Sequence, residues 1–169
     1  ASSRGRLHRL VMAHDGAGGA MRATRAALDV AAEETVEALL QAAAADASID
    51  HAGLLAAVKT LSAGGKQDRE KAACMSPWLA GDTDLRVDDF DGYLAAFLTA
   101  QGEIRASLAS KAAVESMEGI AEIMRREAER VFDVQEKRKA ILTAEATEAI
   151  LAIATALIER YEDYKHRNA

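Results

Sequence analysis

Three strings in the chain hold residue types that do chemistry. Ser62-Ala63-Gly64-Gly65-Lys66-Gln67 has the outline of a phosphate loop, in which glycine amides and a lysine hold phosphate oxygens and a following Ser or Thr ligates magnesium. Thr60 stands where the first glycine is needed, and Gln67 replaces the hydroxyl residue, so the string predicts no nucleotide site. Asp82, Asp84, Asp88, Asp89 and Asp91 offer carboxylates to a divalent cation. They lack the glycine and the distal Glu of a calcium loop, and helix capping with solvation accounts for them more simply. His8, His14, His51 and His166 fall in separate segments, without zinc spacing or the Glu-x-x-His pairs of di-iron bundles. Glu162 and His166 share a helix face at i,i+4 and read as a surface pair. Cys74, beside Met75, reads as a packing residue and suits a reducing compartment. No catalytic residue, metal ligand or cofactor site is assigned.

The elements that would position any site are helices. Of 169 residues 39 are alanine, aromatics make up 4% and Pro occurs once, which excludes an all-β sandwich and a Cys-stapled module. The fold class expected is all-α, a multi-helix bundle with a thin, Ala-lined core and at most one short β-hairpin near 98–108. Net charge is −6, which argues against a free-standing nucleic-acid binder. The charge is uneven, however: residues 59–71 carry four bases against two acids, and residues 82–91 five Asp against Arg86. No uninterrupted apolar run reaches the ~18 residues of a membrane span; the longest, Ala149 to Ile158, is broken by Thr155. No signal peptide is recognised, and no membrane partner is expected.

Along the chain, Arg6–Ala13 reads as a short helix and His14 to Gly19 as a glycine loop. Met21–Leu28 and Glu33–Ala45 follow as helices, and Asp50 caps a helix carrying Leu54, Leu55, Val58 and Leu61 on one face. Lys66–Leu79 is expected to be helical in its first half and to weaken at Pro77. Residues 80–86 are the best internal break. Asp88-Asp89 open a helix through Phe90, Tyr93 and Phe97, followed by a turn at Thr99–Glu103. From Met117 to His166 apolar residues recur at three- and four-residue steps, predicting one very long helix or two long C-terminal helices, with Ala140–Thr143 as the candidate break. Its other face, with Arg125, Arg126, Glu129, Glu136 and Lys137, reads as solvated.

Several strings together carry a resemblance. Arg4-Gly5-Arg6-Leu7-His8-Arg9-Leu10, His14-Asp15-Gly16, Ala63-Gly64-Gly65-Lys66-Gln67-Asp68-Arg69-Glu70, Phe97-Leu98-Thr99-Ala100-Gln101-Gly102-Glu103-Ile104-Arg105 and Leu157-Ile158-Glu159-Arg160-Tyr161-Glu162-Asp163-Tyr164-Lys165 occur in order. Taken together the chain resembles the AddA-type helicase–nuclease subunit of double-strand-break repair, a UvrD/Rep-like superfamily 1 DNA helicase. The likeness spans nearly the whole chain and includes no catalytic signature. It implies that residues 1–169 are a single helical accessory subdomain, the 1B-type insertion, excised from a longer ATP-dependent 3′–5′ helicase/exonuclease. The opening Ala and the absent Walker residues agree with that expectation. ATP and magnesium are implied for the parent and not for these residues. Implied partners are DNA, the motor domains of the same chain and an AddB-type subunit, in a bacterial cytoplasm. The implied role is to position duplex DNA by phosphate contacts from Lys66, Arg69, Lys71, Arg105 and Lys111, without reading sequence. The alternative is an independent helical-bundle interaction module with no DNA role.

Overall fold

The computed structural model describes residues 16–168, and the expected helix Arg6–Ala13 and the start of the glycine loop lie outside them. The described chain is all-α: α1 Ala17–Ala27, α2 Val36–Ala44, a 3-10 turn at Asp46–Ser48, α3 His51–Ser62, α4 Lys66–Ala80, α5 Thr83–Asp88, α6 Phe90–Leu94, α7 Lys111–Ser116 and α8 Ile120–Arg167. Two compact units emerge: one combines the chain up to Val36 with Lys137 onward, the other is Glu37–Glu136. The expected break at 80–86 lies inside the second unit.

That second unit is built on the antiparallel neighbours α3 and α4. Asp50 accepts the Gly53 N–H at 3.0 Å and caps α3, whose Leu54, Ala57 and Leu61 are buried. α4 continues through Pro77 instead of weakening there. The missing N–H falls in the last turn, and the fully buried Trp78 and Leu79 just beyond hold that turn in place. Trp78 stacks on Tyr93 with centroids 3.9 Å apart, and Tyr93 meets Phe97 edge-on at 5.1 Å. These rings fill the centre that alanines leave thin.

Beneath them lies a polar core. Arg86, 5% exposed, donates to the Ala44 carbonyl (3.0 Å), the Trp78 carbonyl (3.2 Å) and Asp46 (2.6 Å), and its own carbonyl accepts the Trp78 indole N–H at 2.7 Å. The Tyr93 hydroxyl donates to Glu127 at 2.7 Å; Arg130 grips the same carboxylate at 2.6 Å and the Ala43 carbonyl at 3.0 Å. Buried charges are tolerated here because each is paired and hydrogen-bonded.

The expected hairpin near 98–108 reduces to one antiparallel bridge, Leu98 to Ile104, and no named strand occurs among the described residues. α7 ends before Gly119, whose φ of +81° is a left-handed conformation that suits glycine, and α8 begins at Ile120. Of the two readings, one helix and two, the structure shows the first: α8 runs unbroken through the candidate break. Ala140–Thr143 contains neither Gly nor Pro, and Ile141 and Ala144 are fully buried at helical spacing. Arg125, Arg126, Glu129 and Glu136 are exposed as expected, with Arg125 bridging Glu122 and Glu129 at 2.8 and 2.5 Å, whereas Lys137, expected on the same face, is half-buried.

In the first unit Gly16, at φ +92°, precedes α1, while Gly18 and Gly19 are helical and not part of a loop. Arg25 is clamped by Glu148 at 2.7 and 3.1 Å and donates to the Ala31 carbonyl at 2.9 Å. The Glu148 hydrogen bond and charge hold the Arg25 pKa above its ordinary value. Lys137 pairs with Glu34 at 3.0 Å and reaches the Asp29 carbonyl. Glu34 serves the chain before α2: its carboxylate accepts the Ala31 N–H at 2.7 Å, and α2 starts at Val36 instead of Glu33.

One property of α8 is not visible in uninterrupted apolar runs. α8 contains an 18-residue window of mean hydropathy 1.7 with at most two charged residues, so by length and composition it could cross a membrane. Counting uninterrupted runs missed this, because the apolar residues outweigh Glu145 and Glu148 in the average. Glu148, however, is engaged by Arg25, and Ile141, Ala144 and Leu151 are packed against protein.

Candidate nucleic-acid interface

The five cations named from the sequence lie in the second unit, on α4, on the loop before α7 and at the start of α7, and one carboxylate links the two helix starts. α4 starts directly after Gly64-Gly65, with Lys66 as its first residue and Asp68 in its first turn, where the helix dipole favours an acid. Asp68 is 2% exposed. Its Oδ1 accepts the Ser110 N–H at 3.2 Å and lies 3.8 Å from the Lys71 ammonium. Ser110 in turn caps α7 by accepting the Ala113 N–H at 3.2 Å, so Lys111 follows immediately as the first residue of α7. Asp68 thus joins the start of α4 to the start of α7.

The string that outlines a phosphate loop has a structural use. A Cβ on Gly64 would sit 2.7 Å from Asp68 Oδ2 and 3.1 Å from the Leu61 carbonyl, so glycine there makes room for the buried carboxylate. The same carboxylate places negative charge at the helix start, where a phosphate loop needs none.

The cations differ in availability. Lys66 is exposed, and its Glu70 partner at 3.9 Å is an open surface pair worth little. Arg69 is exposed at its base and donates to the Gly64 carbonyl at 2.9 Å. Arg105 is exposed and is braced by the Ala95 carbonyl at 3.1 Å; Lys111 is exposed. Lys71 is the departure: it is buried, and burial pushes its pKa down, against the raising pull of Asp68, with Arg105 adding to the lowering. It holds the patch together from beneath instead of presenting an ammonium at the surface.

Lys71 and Arg105 share the wall of a cleft of about 440 Å³, together with Glu70 and the half-buried Cys74. Of the Asp string, Asp82 accepts the Leu85 N–H at 3.0 Å and caps α5, while Asp89 precedes α6 without a side-chain cap. Among the described residues no three His, Cys, Asp or Glu side chains gather at metal-binding distance. Sequence reasoning missed Asp68 as the organiser; its only signal was an acid in the first turn after a Gly-Gly pair. Arg86 was also missed, because it was counted only as one base among five Asp.

No family model, no curated protein and no solved structure matches this chain.

Proposed function

We propose that this chain is an accessory helical subdomain of an AddA-type, ATP-dependent DNA helicase, positioning duplex DNA through phosphate contacts. The observation that supports this reading most is the tie between cations far apart in sequence: the Asp68–Ser110 bond joins the start of α4, which carries Lys66 and Arg69, to the start of α7, which carries Lys111, and Arg105 acts on the buried Lys71 between them in charge. Two helix starts fixed to one buried carboxylate present a rim of exposed cations on a chain whose net charge is −6. Lys and Arg on such a rim bind phosphates without base readout, and the affinity falls steeply with salt. ATP hydrolysis belongs to the rest of such an enzyme, and the AddB-type partner and motor domains would contact other faces.

The test is fluorescence anisotropy of the purified chain with a short duplex at low salt. Lys66→Glu with Arg69→Glu is expected to weaken binding about tenfold or more and to flatten the salt dependence, with Arg126→Glu as a control outside the patch. Unchanged affinity in the double variant overturns the patch; ATP hydrolysis by this chain alone overturns the subdomain reading.

A further inference from the structure

The cleft that Lys71 shares with Arg105 has two walls of different origin. Gln67, Lys71 and Cys74 stand at i, i+4 and i+7 on α4 and form one. The chain after α6 forms the other with Thr99 and Arg105. Backbone bonds fix that second wall: the Arg105 N–H donates to the Phe97 carbonyl at 2.9 Å and the Thr99 N–H to the Glu103 carbonyl at 2.8 Å, around the Leu98–Ile104 bridge.

The two cations bring donors that the protein leaves open. The Lys71 side chain is 9% exposed, and its ammonium stands 3.8 Å from Asp68 Oδ1, beyond hydrogen-bond reach, while that oxygen accepts the Ser110 N–H. Among the described residues the ammonium has no hydrogen-bond acceptor. Arg105 spends only Nε on protein, at the Ala95 carbonyl 3.1 Å away, so its Nη fork has no acceptor among the described residues. Burial first, with the Arg105 charge adding to it, pushes the Lys71 pKa down against the pull of Asp68. Glu70 offers little relief, since it is exposed and has Lys66 as its partner at 3.9 Å. A buried ammonium without an acceptor, beside a second cation, is a cost that an anion in the cleft removes.

Size and charge name the anion. The volume of about 440 Å³ lies within the roughly 300–1,000 Å³ of small-molecule pockets, so the cleft holds an organic body as well as an anionic group. A phosphate monoester carries about −1.5 to −2 charges and three terminal oxygens at neutral pH, whereas a backbone phosphate of duplex DNA carries one charge. It therefore satisfies an ammonium and a guanidinium fork together. The Thr99 hydroxyl, whose oxygen accepts the Glu103 N–H at 3.2 Å, keeps its own proton to donate. We propose that this cleft binds a phosphate monoester, with the phosphate between Lys71 and Arg105 and the organic body beside Cys74. The source is a free small molecule or the phosphorylated end of a nucleic-acid strand.

Calorimetric titration of the whole 169-residue chain with adenosine 5′-monophosphate is expected to show binding, and adenosine none. Cys74 is the single cysteine, so its alkylation by neutral iodoacetamide reports on the cleft, and the nucleotide should slow it where adenosine does not. Arg105→Gln, at an exposed position, and Lys71→Met are each expected to weaken nucleotide binding about tenfold, with Arg126→Gln as the unchanged control. The exposed Arg105 variant keeps the test decisive where Lys71→Met unfolds the chain. Protection of Cys74 by a 5′-phosphorylated single strand, and not by the same strand with a 5′-hydroxyl, assigns the source to a strand end; protection by the free nucleotide alone assigns it to a small molecule. No nucleotide binding, equal binding of adenosine or of succinate, an unchanged Cys74 rate, or full affinity in Arg105→Gln overturns the proposal. The DNA reading is separable: a duplex bound by a chain that ignores the nucleotide leaves that reading standing, and the reverse result leaves this one.

Discussion

Asp68 Oδ1 accepts the Ser110 backbone N–H at 3.2 Å, across 42 residues of sequence, and that bond sets the start of α4 against the start of α7. The carboxylate is buried, and it is also the counter-charge of the buried Lys71. Asp68→Ala leaves an amide and an ammonium uncompensated, so urea unfolding is expected to show a loss of about 2–3 kcal/mol. Asp68→Asn, which keeps an acceptor, should lose less. A neutral effect of the alanine variant would mean that the junction contributes nothing.

Arg86 presents the same logic deeper in the core. Arg86→Met strands the Ala44 and Trp78 carbonyls and the indole's surroundings, and the expected cost in urea unfolding is about 3 kcal/mol or more. The Arg86 hydrogen bond first, and its charge second, hold the Asp46 carboxyl below its ordinary pKa. A carboxyl depressed in the folded state contributes stability above its unfolded pKa and loses it as pH falls through the folded value. The stability difference between wild type and Asp46→Asn should thus be full at pH 7 and shrink as pH drops below about 4.

Tyr93 resists ionisation: burial first, then the charge of Glu127, raises its pKa far above the usual phenol value. A group raised in the folded state lends stability that is complete below the unfolded pKa and is lost above it, so this contribution declines once pH exceeds about 10. Comparing phenolate absorbance of wild type with that of Tyr93→Phe should assign to Tyr93 a step that appears only with alkaline unfolding. Tyr93→Phe at neutral pH should cost about 1–2 kcal/mol, because Arg130 still holds Glu127 at 2.6 Å.

Continuity of α8 is tested by two neighbours. Ile141 is fully buried and Leu142 is 48% exposed, side by side at the candidate break. Ile141→Ala should destabilise by about 3 kcal/mol and Leu142→Ala by about 0.5 kcal/mol or less, by thermal or urea unfolding. Equal costs would mean that the helix does not pass through this point in one register.

Helices were legible in the sequence because their causes are local. Alanine content, three-and-four spacing and the Asp50 cap act within a turn or two, and they mark α3 and most of α8 correctly, whereas α5 with its Asp82 cap stands where the sequence reads as an acidic break. Pro77 misled, and Ala140–Thr143 left one helix or two undecided, because local propensity is a weak prior: Trp78 and Leu79 beyond the proline, and Ile141 and Ala144 at the candidate break, are held by tertiary burial. The cations were visible as residues, but their inequality was not. Only the folded chain buries Lys71 under Asp68 while leaving Lys66, Arg69, Arg105 and Lys111 in water. Net charge and helix type add up along the chain, so the sequence alone determines them. Which charge is spent inside, and which carboxylate ties α4 to α7, depends on contacts between residues dozens of positions apart, and those exist only in the tertiary structure.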